Sequence, residues 1–384
     1  MSIASNIREK YFCRDELSTL FRAVTVSRVP AGPDTDLFLD LTPDRVLDAA
    51  EAGGLNPTGL CYPLNSFENR VYEVGLEGDT RVIAKFYRPH RWNREQILEE
   101  HTLLAALERA EVPVANVRPF PDGETLKEIE GIYYSLSDRR GGRAPDELDA
   151  GSARRLGMLI GRLHNVASGV EVRRRPRLDA DRYVRAALKW IAAEGSLHGV
   201  LEERYTRAAL ALAEIADRAL DGVEIQPVHA DLHLGNILLR DQELRLLDFD
   251  DMAIGPPVQD LWLAVPGRDE ESQRLRASLV AGYEQFRVFD HSSLSLIEPL
   301  RGLRMVRYAG WLARRWHDPA FRAAWPHFGS EEYWRQEAED LEEQVATLQR
   351  AGDVVAGVLQ PAAEATEPVP ELTNKDYFWD WEGK

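Results

Sequence analysis

Between His229 and Asp251 the chain reads HADLHLGNILLRDQELRLLDFDD, and this stretch restricts the fold more than any other. Two short apolar runs, Ile237 to Leu239 and Leu244 to Leu247, flank the polar connection Arg240 to Glu243, a pattern that predicts a β-hairpin. Asn236 and Asp248 fall at its open end, where they are expected to face each other with Cα atoms roughly 5 Å apart. Paired Asn and Asp oxygens suit Mg²⁺, which takes only one or two protein ligands and completes its octahedron with water and phosphate oxygens. Asp231 lies five residues before Asn236, on the approaching loop, so its carboxylate stands beside that metal and can accept a proton from a hydroxyl attacking phosphorus. A solvated acidic turn is the bland reading of such a hairpin. His229 and His233 also have the i, i+4 spacing of two zinc ligands, but that face requires helix where strand and loop are indicated, and no third ligand cluster is visible.

Other parts of the chain raise the hairpin above its bland reading. Lys85 sits inside the apolar run Val82-Ile83-Ala84-Lys85-Phe86-Tyr87, where an isolated lysine is ordinarily an edge or snorkelling residue. Glu100 follows on a helix whose apolar face carries Ile97, Leu103, Leu104 and Leu107, where a carboxylate is costly without a partner. A Lys85–Glu100 ion pair satisfies both groups and aims the ammonium at nucleotide phosphates.

Around these residues the hydrophobic period changes twice. Thr42-Pro43 starts a helix that Gly53-Gly54 ends. Short β-rich runs follow at Gly59–Leu64, Arg70–Val74 and Arg81–Phe86, then a helix opened by a capping box at Asn93 and Gln96, then strands near Thr125–Glu130 and Ile132–Leu136. From Arg139 the pattern is helical, with long amphipathic stretches over 181–222 and 271–349. The expected organisation is an extension over residues 1–40, an antiparallel-sheet lobe over 41–138, a mainly helical lobe over 139–360 and a tail over 361–384. That tail carries the aromatics Tyr377 to Trp381, expected to dock on the body.

Composition limits the partners. A net charge of −17 argues against a sequence-independent grip on nucleic acid and against an anionic membrane. Two cysteines, Cys13 and Cys61, cannot build a disulfide framework or a Cys-based zinc site. No apolar run approaches the ~20 residues of a membrane span, and charges fill the N-terminus where a secretory core would sit, so a cytoplasmic monomer is expected.

A strand lysine, a helix glutamate, a catalytic loop and a metal-binding Asp in that order resemble the protein-kinase architecture. Within that superfamily the chain resembles the aminoglycoside phosphotransferase and choline kinase branch, and in it most closely the bacterial stress-response Ser/Thr protein kinases. The stretches that carry the likeness are LTPDRVLDAA, PLNSFENRVYEV, AKFYRPHRWNREQILEEH, EVPVA, HADLHLGNIL, LLDFDDMAIGPPVQDLW and WLARRWHDPAF. The resemblance implies a bilobal α+β kinase-like fold using ATP and Mg²⁺, with Asp231 and Asp248 catalytic and Asn236 and Asp248 holding the metal. It implies that Lys85, with Glu100 behind it, grips the ATP phosphates and that Ser66 covers them. The backbone near Tyr134 to Leu136 is expected to link the lobes and meet the adenine, and Asp260 to be a structural acid beneath the catalytic loop.

The chain departs from protein kinases in three places. It has no GxGxxG between its first two strands, alanine at position 230 where arginine is usual, and Asp250 in place of the glycine after Asp248-Phe249. Only eleven residues separate Asp248 from Asp260, too few for a long activation loop. The acceptor is expected to be a protein Ser or Thr. A small-molecule alcohol, amino sugar or choline-like amine is the alternative, drawn by Asp250, Asp251, Asp146 and Glu147.

Overall fold

The computed structural model describes Phe38 and residues 41–64 and 66–355; the N-terminal extension and the aromatic tail lie outside the described residues. Helix α1 (Pro43–Ala52) is capped by Thr42, whose hydroxyl accepts from the Arg45 amide at 3.5 Å, and it stops at Gly53. Strands β1 (Pro57–Leu64), β2 (Arg70–Leu76), β3 (Thr80–Phe86), β4 (Lys127–Ile129) and β5 (Ile132–Asp138) form one antiparallel sheet in the order β1-β2-β3-β5-β4. Helix α2 (Arg94–Arg109) enters between β3 and β4, opened by the Asn93–Gln96 capping box. On β3 the alternation of a half-buried strand puts Val82, Ala84 and Phe86 in the core and leaves Ile83 and Lys85 facing the other way.

The second lobe is helical: α3 (Ala150–Ala167), α4 (Ala186–Glu194), α5 (Gly199–Leu220), α6 (Val258–Ala264), α7 (Glu270–Tyr283), α8 (Ile297–Arg315), α9 (Pro319–Ala324) and α10 (Glu331–Val355). The long amphipathic stretches are thus broken. Asp181–Arg185 forms a π-helical turn ahead of α4, and Gly195 ends α4 before α5 begins. Helices α3 and α7 approach closely because a Cβ at Gly157 would overlap the Leu279 carbonyl, and one at Gly282 the Arg154 carbonyl. Leu103, Leu104 and Leu107, on the second half of α2, pack into the same core as these helices, so α2 ties the two lobes together.

Four short strands complete the lobe: β6 (Gln226–Val228), β7 (Ile237–Arg240), β8 (Glu243–Leu246) and β9 (Ala253–Gly255). The β7–β8 hairpin forms as expected, through a two-residue turn at Asp241-Gln242 with both φ angles positive. Its register corrects one expectation. Ile237 pairs with Leu246, and the Leu247 amide donates to the Asn236 carbonyl at 2.9 Å, so Asn236 is opposed to Leu247 and not to Asp248. Asp248 lies one residue further on, with a left-handed backbone, φ 52°.

Candidate active site

A cleft of about 500 Å³ opens between the sheet and the helices, and Ser66, Lys85, Glu100, Asp231, Asn236 and Asp248 all line it. Lys85 reaches it from the middle of the sheet. Its Nζ lies 2.9 Å from Asp248 Oδ1 and 3.5 Å from both Glu100 Oε1 and Asp250 Oδ1. Burial opposes a charged lysine here, but Asp248, Asp250 and Glu100 outweigh it and hold the ammonium well above its usual range. Glu100 has a closer partner than the expected one: Arg175 Nη2 sits 2.7 Å from Oε2, and Arg175 also donates to the backbone carbonyls of Gln96 and Asp250. Burial raises the Glu100 carboxyl against the pull of these two cations.

The approach to Asp231 is built by α6. Asp260, fully buried, accepts from the amides of His229 and Ala230, each at 2.8 Å, and from His164 Nε2 at 3.0 Å. Gln259 donates to the Ala230 carbonyl at 3.0 Å. These bonds hold Ala230 at φ 67°, a region that costs a non-glycine residue about 1–2 kcal/mol. His229 closes the other side of the turn, Nε2 on the Leu247 carbonyl at 2.7 Å and Nδ1 accepting from the Asp231 amide at 3.3 Å. His233 accepts from the Gly235 amide and lies 3.5 Å from Asp231 Oδ2, so both histidines shape the loop.

Asp231 meets Arg304 of α8, whose Nη2 is 2.8 Å from its Oδ1. Burial pushes this carboxyl upward, yet Arg304 and His233 prevail and hold it well below the usual carboxylate range. Asn236 donates its Nδ2 hydrogens toward the Asp231 carbonyl, 2.8 Å, and Oδ2, 3.5 Å, which turns its Oδ1 away from them. Of the carboxylates around Lys85, only Asp248 is open: its side chain is 49% exposed, against 3% for Glu100 and Asp250. An amide oxygen and an accessible carboxylate on one cleft wall are the hard donors that Mg²⁺ takes.

Tyr134 and Leu136 are not among the residues that line the cleft, although Ser135 between them is. The pleat turns both side chains into the lobe's core, Tyr134 stacked on Phe86 at 5.5 Å, and the Leu136 carbonyl is taken by the Arg118 amide at 2.6 Å. Ser135 and Ser137, the alternate residues, face the cleft, and the strand runs on to Asp138 before the chain leaves the sheet. Most of the acidic groups expected to draw a cationic acceptor have arginine partners. Asp250 and Asp251 are both gripped by Arg91, and Asp251 by Arg307 as well. Asp146 lies 4.0 Å from Arg143.

The phosphotransferase enzyme family (APH) matches residues 62–297, more than half of the chain. The chain belongs to that family. Stress response kinase A of Escherichia coli K12 is 35% identical over 313 residues, covering 81% of this chain and 95% of that protein. The serine/threonine protein kinase RdoA of Salmonella typhimurium LT2 is 34% identical over 81% of this chain and 94% of its own length. A solved amicoumacin kinase, in complex with AMP-PNP and Ca²⁺, superposes with a TM-score of 0.64 at 20% identity, over 80% of this chain and 96% of that one, and shares the fold. This APH-family chain is thus a phosphotransferase with the bilobal α+β kinase-like fold, and among the described residues no helix is long and apolar enough to cross a membrane.

Glu68, Arg91, Arg175, Arg304 and Arg307 belong to the same cleft and were not legible beforehand. Arg175 ends the run Arg173-Arg174-Arg175, where nothing local separates it from its neighbours. Glu68 sits in the loop over the cleft, 3.5 Å from Arg91 and bonded to Arg315, with the Trp311 indole donating to it at 2.6 Å. Phe67 beside it packs on Phe321 and Trp325, so the loop is fastened to α8 and α9.

Proposed function

We propose that the chain is an ATP- and Mg²⁺-dependent kinase that transfers the γ-phosphoryl group to Ser or Thr hydroxyls of proteins. The observation that carries the transfer reading is the juxtaposition of Lys85, kept charged between Glu100 and Asp248, with Asp231 and Asn236 across one cleft. Asn236 and Asp248 are the residues that would hold Mg²⁺, which supplies charge neutralisation of the triphosphate when bound. Lys85 binds phosphate oxygens, and the loop from Ser66 to Asn69 covers them with backbone amides in place of a glycine-rich strand turn. Asp231, ionised and fixed by Arg304, orients the acceptor hydroxyl toward phosphorus and takes its proton late. Positioning and charge stabilisation carry most of the acceleration.

The protein acceptor is favoured by relatives that are named stress response kinase and serine/threonine protein kinase and are matched over nearly their whole length. The pairing of Asp250 and Asp251 with arginine also removes the main attraction for a cationic small molecule. A small alcohol as acceptor has one observation in its favour. From Asp248 the chain passes through a 3₁₀ turn at Phe249–Asp251 and strand β9 straight into α6, leaving no long loop to align a peptide.

The test is transfer of labelled γ-phosphate into a cell extract divided into macromolecular and small-molecule fractions, with Asp231→Asn as control. Label on Ser or Thr of proteins, lost in the control, is expected; label confined to small molecules would establish the second reading. Asp231→Asn should lower turnover at least ~100-fold with ATP binding retained.

A further inference from the structure

The loop over the phosphates, Ser66 to Asn69, has no glycine to turn its peptide planes, and one side chain holds it from behind. Arg88 stands just past β3 and is buried, its side chain 1% exposed. Its Nε donates to the Glu68 carbonyl at 2.8 Å, and its Nη2 to the Phe67 carbonyl at 2.9 Å and to Asp318 Oδ2 at 3.0 Å. The Arg88 amide joins them, donating to Asn69 Oδ1 at 3.1 Å. Asp318, the N-cap of α9, also pairs with Arg70 at 3.4 Å and accepts from the Ala320 amide on its other oxygen at 3.0 Å.

In a trans peptide the C=O and the N–H that follows it point in opposite directions, and among the described residues no peptide is cis. With the Phe67 and Glu68 carbonyls drawn onto Arg88, the Glu68 and Asn69 amides face away from it. Phe67, Glu68 and Asn69 line the cleft and Arg88 does not, so the guanidinium backs the loop and the amides are turned to the cleft side. We propose, resting on the ATP reading above, that Arg88 is the positioning residue of the phosphate cover: it aims the Glu68 and Asn69 amides at the triphosphate, as glycines allow in a GxGxxG turn. Asp318 fixes the plane of the guanidinium, which makes α9 part of the same device. The planar fork of an arginine can hold two carbonyls and a carboxylate together. A lysine, a point charge on a flexible stem, cannot fix two peptide planes.

The test measures dissociation constants for ATP and for adenosine, with Mg²⁺ and the full chain, in wild type, Arg88→Lys and Asp318→Asn, each checked for cooperative thermal unfolding. Amide bonds to an ionised phosphate act only on the ligand that carries phosphates. ATP should therefore bind about tenfold more weakly to Arg88→Lys while adenosine binds as to wild type. Asp318→Asn can keep the α9 cap through its carbonyl oxygen but turns an NH₂ group on Arg88, and it should show the same selective loss at about threefold or more. That variant leaves Arg88 in place and decides the matter if Arg88→Lys fails to fold. Equal loss of ATP and adenosine, or an unchanged ATP constant in a folded variant, overturns the proposal and leaves the kinase reading standing. A wild type that binds ATP no better than adenosine overturns the phosphate-binding reading itself, and the proposal with it.

Discussion

Replacing Asp260 tests whether the geometry of Asp231 is imposed from below. This carboxylate touches no part of the cleft, yet it accepts from two consecutive backbone amides and from His164. Hydrogen bonds to a charged group contribute about 1.5–3 kcal/mol each, and not additively, so Asp260→Ala should cost about 4 kcal/mol by leaving two buried N–H groups unpaired. Asp260→Asn keeps one carbonyl oxygen and turns an NH₂ group against the second amide, for a loss of about 2–3 kcal/mol. That loss exceeds the ~1–2 kcal/mol that holding Ala230 in the left-handed region costs, so the turn relaxes and Asp231 moves with it.

Displacement of a positioning group by about 1 Å is worth roughly 100-fold in rate. For Asp260→Asn the expected result is therefore a roughly 100-fold fall in kcat, a melting temperature lower by roughly 3–5 °C, and a nearly unchanged KM for ATP. Lys85, Glu100 and Asp248 do not contact Asp260, which is why ATP binding should persist. Steady-state kinetics with either acceptor class and thermal melts measure all three. Ala230→Gly adopts the same backbone without strain, and in the Asp260→Asn background it should recover part of the stability. A well-folded Asp260→Asn enzyme with wild-type kcat would refute the reasoning.

Three further outcomes are expected. Glu68→Gln weakens the bonds to Arg315, Arg91 and Trp311 that fasten the loop over the phosphates, so KM for ATP should rise several-fold, about 3–10; unchanged nucleotide binding by titration calorimetry would show that the fastening does not matter. Asp250 is shifted down to about 2, with burial opposed by Arg91, Lys85 and Arg175. A depressed folded value means that its contribution, about 2–3 kcal/mol, is complete above the unfolded value of about 3.9 and disappears as pH falls through the folded one. The gap in melting temperature between wild type and Asp250→Asn should accordingly be present at pH 7 and narrow below about pH 4; a gap that widens in acid would contradict the assigned sign. Chelation with EDTA should abolish transfer, Mg²⁺ in the ~mM range should restore it, and Asn236→Ala should raise the Mg²⁺ midpoint while leaving the melting temperature within a few degrees.

What could be foreseen follows from how far each signal travels along the chain. The Asn93–Gln96 capping box, the β-rich run of β3 and the hairpin are local, and they stand within a few residues of their expected bounds. Lys85 and Glu100 were legible for a related reason: each is a charge set into an apolar pattern, and such a charge demands a partner. The identity of every partner was not. Arg175 reaches Glu100 from 75 residues away, and nothing in its arginine run marks it. Strand β9 escaped because three residues paired to β6 are shorter than any period can register.

The pairing of the acidic rim has a more general cause. Asp250 and Asp251, with Asp146 and Glu147, read as attractive negative charge when counted along the chain, and the net charge of −17 reinforces that impression. Burial reverses it. A carboxylate can be enclosed at a cleft only with a cation beside it, so the fold brings Arg91, Arg304 and Arg307 to the very positions where the carboxylates cluster.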